Sequence, residues 1–184
     1  KSTKAEVLFT DYINEHLKPN GRAGIIVPEG VIFQTGTAYK QLRKRLLETS
    51  LIGVISMPAG VFNPYAGVKT AILILDKSKK SDVIFFADVK NDGYSLNTNR
   101  TRIEKNDLPI FIKEFYSKDK KNNKLIFEVS KDKIVSNDYI LSLNQYKSVE
   151  EINSKFELQK LDNLFTEIKN GKNVSQSDSG LFRV

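Results

Sequence analysis

The 184 residues include no cysteine, no tryptophan, one histidine, one methionine and only five prolines. Without thiols, disulfide scaffolds, cysteine-bound zinc and thiol nucleophiles are excluded. His16 is the lone imidazole, so no histidine pair exists to hold a metal, and a hydrolytic triad has a single base to draw on. No apolar run approaches the ~20 residues of a membrane span. The opening KSTKAEVLFT lacks the pattern of a secretory signal, and a cytoplasmic setting without membrane partners is expected. The composition is otherwise that of an ordinary globular domain, 40% hydrophobic and 28% charged, sufficient at this length to bury a core.

The net charge of +7 is unevenly spread. Residues 1–80 carry 12 basic and 6 acidic side chains, against 9 and 8 in 81–130 and 8 and 8 in 131–184. A local cationic surplus is what a phosphate-facing surface needs, because each phosphate neutralised releases condensed counterions. A solvated basic face without a partner fits the same composition.

Hydrophobic periodicity predicts a helix over 5–17, with Ala5, Phe9, Ile13 and Leu17 as its apolar stripe and Leu8 and Tyr12 beside them, ended by Pro19-Asn20-Gly21. Residues 22–28 form a short apolar run of the kind found in strands covered on both faces. A second helix is expected at 37–48, with Tyr39, Leu42 and Leu46 inward and Lys40, Arg43, Lys44 and Arg45 largely outward. Another buried strand follows at 51–57. Residues 58–69 have no helical period, so 51–57 and 70–75 should pair antiparallel across a loop longer than ordinary hairpin loops. Residues 83–87 continue the strands. Helix–strand alternation of this kind builds a doubly wound α/β sheet. Downstream, 88–107 is polar and turn-rich, 108–116 reads as a helix with Pro109 in its first turn, and 117–124 is a charged loop. A short strand is expected at 125–129 and a helix at 149–165.

Three segments, VLFTDYINEHLKPNGRAGIIVPEGVIFQTG (7–36), PAGVFNPYAGVKTAILIL (58–75) and NDGYSLNTNRTRIEKND (91–107), occur in an order that resembles the modification subunit of type I restriction systems, a family of adenine-N6 DNA methyltransferases. The resemblance covers about residues 1–147. LDNLFTEIKNGKNVSQSDSGLFRV (161–184) is similar to the opening of a target-recognition domain from a specificity subunit. The family's glycine-rich cofactor turn is absent, as is its tetrapeptide of Asn or Asp, two prolines and an aromatic. The likeness therefore implies the distal half of a Rossmann-like methyltransferase sheet ending in an antiparallel hairpin (1–90), a mixed α+β extension (91–147), a linker helix (148–163) and a truncated recognition domain (164–184). It also implies S-adenosylmethionine as cofactor of the intact protein but none for this segment alone, and no catalytic residue or metal here. The partners implied are double-stranded DNA, a specificity subunit or fused recognition domain, and an endonuclease subunit.

The resemblance places Phe62, with Tyr65 as second choice, where an aromatic would stack on an adenine turned out of the duplex; an apolar plug for the hairpin is the alternative. Asn63-Pro64-Tyr65 has one proline and lies two strands too late to be the catalytic tetrapeptide, and reads as a turn signal. Pro28 and Glu29 follow the carboxyl end of a strand and should border the ligand pocket; the resemblance implies that this turn lines its target-base side, with Glu29 structural rather than a general base. Lys69 and Thr70 are candidates for a phosphate contact, or a solvated strand end. Arg43, Lys44 and Arg45 are the densest basic cluster; three consecutive helical residues cannot share a face, so one or two can meet DNA or a subunit, and a solvated helix face is the default reading. His16 reads as a capping or surface residue. A non-catalytic DNA-binding or subunit-docking module on the same scaffold is the rival reading, and a small-molecule methyltransferase relative is a third.

Overall fold

A computed structural model describes residues 4–117 and 125–147. The expectations for 148–163 and 164–184, including the helix at 149–165, lie outside the described residues, as does most of the loop at 117–124.

The five principal strands are β1 (Arg22–Pro28), β2 (Leu51–Ser56), β3 (Thr70–Asp76), β4 (Val83–Asp88) and, after a small separate hairpin, β7 (Ile126–Ser130). They form one sheet in the order β1-β3-β2-β4-β7. β2 and β3 pair antiparallel as expected from the loop between them. The returning strand β3 then inserts between β2 and β1, pairing antiparallel with both, so that Pro28 lies opposite Thr70 and Arg22 opposite Asp76. β2 and β4 are parallel, and β4 and β7 antiparallel. β1, β2 and β4 consequently all end at the same edge of the sheet.

β2 is central and buried along its whole length, which accounts for its unbroken apolar sequence. β1 is not. It lies at the margin of the sheet, its burial alternates, and Ile26 is 57% exposed. An apolar run does not reveal whether a strand is central, and the expectation that both faces of β1 are covered is corrected here.

One face of the sheet packs on α1 (Ala5–His16), α3 (Thr37–Thr49) and the chain from α5 (Lys131–Ser136) to Tyr146. Leu46, Leu73, Leu75, Ile84 and Ile134 are fully enclosed in this layer. Each such side chain contributes roughly 1.5–3 kcal/mol relative to exposure. The other face is covered by α4 (Leu108–Tyr116), whose Phe111 and Phe115 pack with Phe85 and Ile55. Pro109 sits in the first turn of α4 as expected.

α3 turns Tyr39, Leu42 and Leu46 inward as its period requires. α1 is turned from the face its apolar stripe suggests: of the stripe, Ile13 and Leu17 are half-buried and Ala5 and Phe9 exposed. Val7, Thr10 and Asn14 are buried, while Leu8, Phe9 and Tyr12 are exposed, Phe9 by 68%. The polar members of the buried face are satisfied: Thr10 donates to the Glu6 carbonyl, and Asn14 Oδ1 accepts from the hydroxyls of Thr49 and Ser50 at the end of α3. Lys77 Nζ donates to the carbonyls of Glu15 and Leu17, occupying acceptors at the carboxyl end of α1. His16 stacks on Tyr12 at the surface of that helix.

Candidate functional site at the carboxyl edge of the sheet

Three connections meet the edge where β1, β2 and β4 end: the turn from Pro28 into the short helix α2 (Gly30–Phe33), the loop 57–69, and the segment 89–107 with its hairpin of β5 (Asp92–Tyr94) and β6 (Arg102–Asn106). In open α/β sheets this is the edge that receives ligands.

The structure brings four of the candidate residues together. The Glu29 amide donates to the Lys69 carbonyl at 2.9 Å, Lys69 Nζ lies 2.6 Å from Glu29 Oε1, and Pro28 is in register with Thr70. The Glu29–Lys69 ion pair holds the loop's return against the turn after β1. Its two charges neutralise each other locally, while the Lys69 side chain stays 38% exposed. Thr70 is buried, its Oγ1 without a hydrogen-bond partner and its carbonyl accepting from the Met57 amide. A hydroxyl enclosed this way does not reach a phosphate, and the expectation of a Thr70 surface contact is corrected.

A cavity of about 320 Å³ opens beside this pair, lined by Pro28, Glu29, Lys69, Phe33, Tyr39 and Glu6, among others. The helical period assigns Tyr39 to the core, while Glu6 and Phe33 are not among the sequence candidates. The Tyr39 hydroxyl donates to Glu6 Oε1 at 2.7 Å across 33 residues. That bond holds the Glu6 carboxyl below its ordinary pKa and raises that of the Tyr39 phenol. No local signal pairs the two; Phe33 could have been noticed as an aromatic closing the turn that follows β1.

Phe62 and Tyr65 are not among the residues lining that cavity. They lie at the far end of the same loop, Phe62 37% and Tyr65 94% exposed. Here the chain folds on itself. The Phe62 carbonyl accepts from the amides of Tyr65 and Ala66, the Asn63 amide donates to the Gly60 carbonyl, and the Asn63–Pro64 peptide bond is cis. The turn read from Asn63-Pro64-Tyr65 is present, and it displays two aromatic rings to solvent at the carboxyl edge.

Arg43 is the clearest departure. It is 1% exposed, its Nε donating to the Tyr139 carbonyl and its Nη1 to the carbonyls of Val31 and Gln34. Burial pulls its pKa down, with Asp138 and Tyr146 opposing. A guanidinium used in this way ties α3 to α2 and to the chain near residue 140, and presents nothing to DNA. Lys44 stays on the surface, near Glu48 one turn on. Arg45 pairs with Asp11 and Glu15 of α1. The basic triplet thus splits into an internal clamp, an exposed cation and a helix–helix ion pair.

S-adenosylmethionine, which the resemblance implies for the intact protein, is not fitted by these residues. The two carboxylates lining the cavity at this edge are already engaged, Glu6 by Tyr39 and Glu29 by Lys69. Gly30, the glycine of the turn after β1, faces the Gln34 side chain.

The model of the N-6 DNA methylase family matches residues 1–155. The methylase subunit of the type I restriction enzyme EcoEI from Escherichia coli is 37% identical over 79 residues, 43% of this chain and 16% of the relative. The methylase subunit of the type I enzyme MpnII from Mycoplasma pneumoniae is 28% identical over 163 residues, 88% of this chain and 28% of the relative. The chain therefore spans only a fraction of the length of these curated relatives. The crystal structure of the methyltransferase subunit of a type I restriction-modification system from Streptococcus thermophilus superposes with a TM-score of 0.64 at 29% identity, covering 78% of this chain and 30% of that one. With the family model spanning residues 1–155 and the fold shared with such a subunit, the chain belongs to the N-6 DNA methylase family.

Proposed function

We propose that this chain is the trailing part of a DNA methyltransferase that moves a methyl group from S-adenosylmethionine to the N6 of adenine in duplex DNA, within a restriction-modification system that also supplies a specificity component. The observation that carries the reading is the placement of the Phe62–Tyr65 turn: an aromatic pair held in a hydrogen-bonded turn at the carboxyl edge of a sheet of this family. Such a turn suits stacking on a base drawn out of the helix, where one aromatic face returns ~1–3 kcal/mol of the few kcal/mol that extrusion costs. The Glu29–Lys69 pair and the cavity beside it form the adjoining wall. β1 has no neighbour on its outer edge among the described residues, which leaves room for further strands from the longer polypeptide. S-adenosylmethionine supplies the methyl group; its binding residues belong to that longer polypeptide, and the segment alone is inactive. Methyl transfer to an amine depends more on positioning than on acid–base groups, in keeping with a chain that has one histidine.

The test joins this segment to its upstream residues and specificity component and measures methylation and DNA binding with and without Phe62→Ala. Loss of one stacking face lowers the single-turnover methylation rate roughly 5- to 150-fold, with duplex affinity nearly unchanged. A joined protein that binds DNA but transfers no methyl group would favour the docking-module reading. A methylating protein indifferent to both Phe62→Ala and Tyr65→Ala would remove the stacking role.

A further inference from the structure

The connection between β5 and β6 meets the aromatic loop at Leu96. Asn63 Nδ2 donates to the Leu96 carbonyl at 2.8 Å, across 33 residues. Gly60, at φ +86°, approaches the same carbonyl so closely that a Cβ there would stand 2.7 Å from it, and 2.8 Å from Asn63 Nδ2. Only glycine takes up this backbone conformation and this proximity without strain. Gly60 and Asn63 also bracket the turn internally, through the Asn63 amide and the Gly60 carbonyl. Phe62 lies between them in sequence.

The hairpin side of the contact is held by its own bonds. Arg100, itself at positive φ, forms an ion pair with Asp92, donates through Nη1 to the Ser95 carbonyl at 3.0 Å, and lies over the Tyr94 ring. Ser95 Oγ is 2.9 Å from Thr101 Oγ1, and the Ser95 amide donates to the Thr101 carbonyl. Leu96 is the next residue, so its carbonyl is presented by a turn fixed on both sides. The base of the segment is anchored by Asp107, whose Oδ2 accepts from the amides of Lys90 and Asn91 at 2.8 Å each.

We infer that the 92–106 hairpin is a brace for the aromatic loop, with Asn63 and Gly60 as positioning residues that fix the backbone from which Phe62 and Tyr65 project. The Nδ2 donor of Asn63, whose sequence context imitates a base-binding tetrapeptide, is spent on the Leu96 carbonyl, so the side chain is oriented by the hairpin. Its influence on the base runs through Phe62. The inference rests on the stacking role proposed above for its functional consequence, but the ordering of the loop is measurable without it.

The experiment uses the full-length protein with its specificity component and the variants Asn63→Asp, Gly60→Ala and Phe62→Ala. Asn63→Asp is near-isosteric, removes the donor and sets a carboxylate oxygen against the Leu96 carbonyl, and because Asn63 is partly exposed the variant folds even if Gly60→Ala does not. Amide exchange across 60–66 should quicken about tenfold in Asn63→Asp, the loss expected for one hydrogen bond of ordinary net strength, with the melting midpoint unchanged. With 2-aminopurine in place of the adenine found methylated in host DNA, the fluorescence rise on binding should weaken in Asn63→Asp as in Phe62→Ala, and kcat should fall while KM for DNA holds. Unchanged exchange in Asn63→Asp overturns the brace. So does a Phe62→Ala defect that Asn63→Asp fails to reproduce. If exchange quickens while Phe62→Ala methylates normally, the brace stands and the stacking role falls.

Discussion

Replacing Arg43 by methionine should destabilise the protein by about 3 kcal/mol. The guanidinium is buried and satisfies the carbonyls of Val31, Gln34 and Tyr139, two at the end of α2 and one near residue 140. A bond from a charged donor is worth ~1.5–3 kcal/mol, and each buried carbonyl stripped of its donor costs ~1–3. Against this, methionine removes the cost of keeping a charge out of water, which offsets part of the loss. The sum falls well short of three full bonds, hence the central figure. For a chain of this length that lowers the melting midpoint by roughly 6–12 °C. Lysine should not restore it, since a point charge on a flexible stem cannot reproduce a fork aimed at three acceptors. The assay is urea unfolding followed by circular dichroism, with Lys44→Met as the surface comparison, expected within ~0.5 kcal/mol. An Arg43→Met variant as stable as Lys44→Met would show that the clamp is idle and that the side chain is free to face a partner after all.

Gly53 should resist substitution, because a Cβ there would meet the Phe85 ring at 2.0 Å on the neighbouring strand. Gly53→Ala is expected to cost ~1–3 kcal/mol in urea unfolding, and Phe85→Leu in the same molecule to recover part of it; additive losses would contradict the clash. Asp76 is buried and accepts from the Ser78 amide and hydroxyl, which hold its carboxyl below the ordinary range. Its folded pKa lies under the unfolded value of ~3.9, so its contribution is full above that pH and fades as pH falls through the folded value. Asp76→Asn should therefore lose less stability than wild type between about pH 5 and 2, and parallel midpoint-against-pH curves would refute this. The exposed apolar side chains Leu8, Phe9 and Tyr12 on α1 and Ile26 on β1 predict concentration-dependent association of the 20.9 kDa segment by itself. Light scattering should detect it, and the pair Phe9→Ser and Ile26→Thr should reduce it.

Much of the fold was legible because periodicity and position agreed. The stripe of α3, the enclosed run of β2 and the proline at the start of α4 each carry one meaning. β1 and α1 misled because an apolar residue signals a preference for burial without saying what is there to bury it. Arg43 offered a usable signal: Tyr39, Leu42, Arg43, Leu46 and Leu47 recur at helical spacing, so it stands inside the apolar stripe while Lys44 stands outside. Its acceptors could not be foreseen, since they are backbone atoms 9, 12 and 96 residues away. The cavity at the carboxyl edge was half visible, through Pro28, Glu29 and Lys69. The bond between Glu6 and Tyr39 joins two separate helices across 33 residues, which no local pattern announces.

The three connections at the carboxyl edge are fixed by unrelated means, and this bears on how the edge can work. α2 is held by Arg43 and by the Leu141 amide on the Ile32 carbonyl, both on the side of the helical layer. Loop 57–69 is fastened at its ends by Met57 to Thr70 and Lys69 to Glu29, and at its middle by Asn63 to Leu96. The segment 89–107 is joined to the sheet through the Val89 amide on the Ser56 carbonyl and closed on itself by Asp107. With the backbone tied at so many points, the exposed side chains of Phe62 and Tyr65 project from a fixed main chain. On the proposed stacking role, a base arriving there would meet a preset main chain and settle two rings, which costs less ordering than folding a loop around it. If the proposed function holds, weakening any one fastening should slow methylation before it weakens DNA binding.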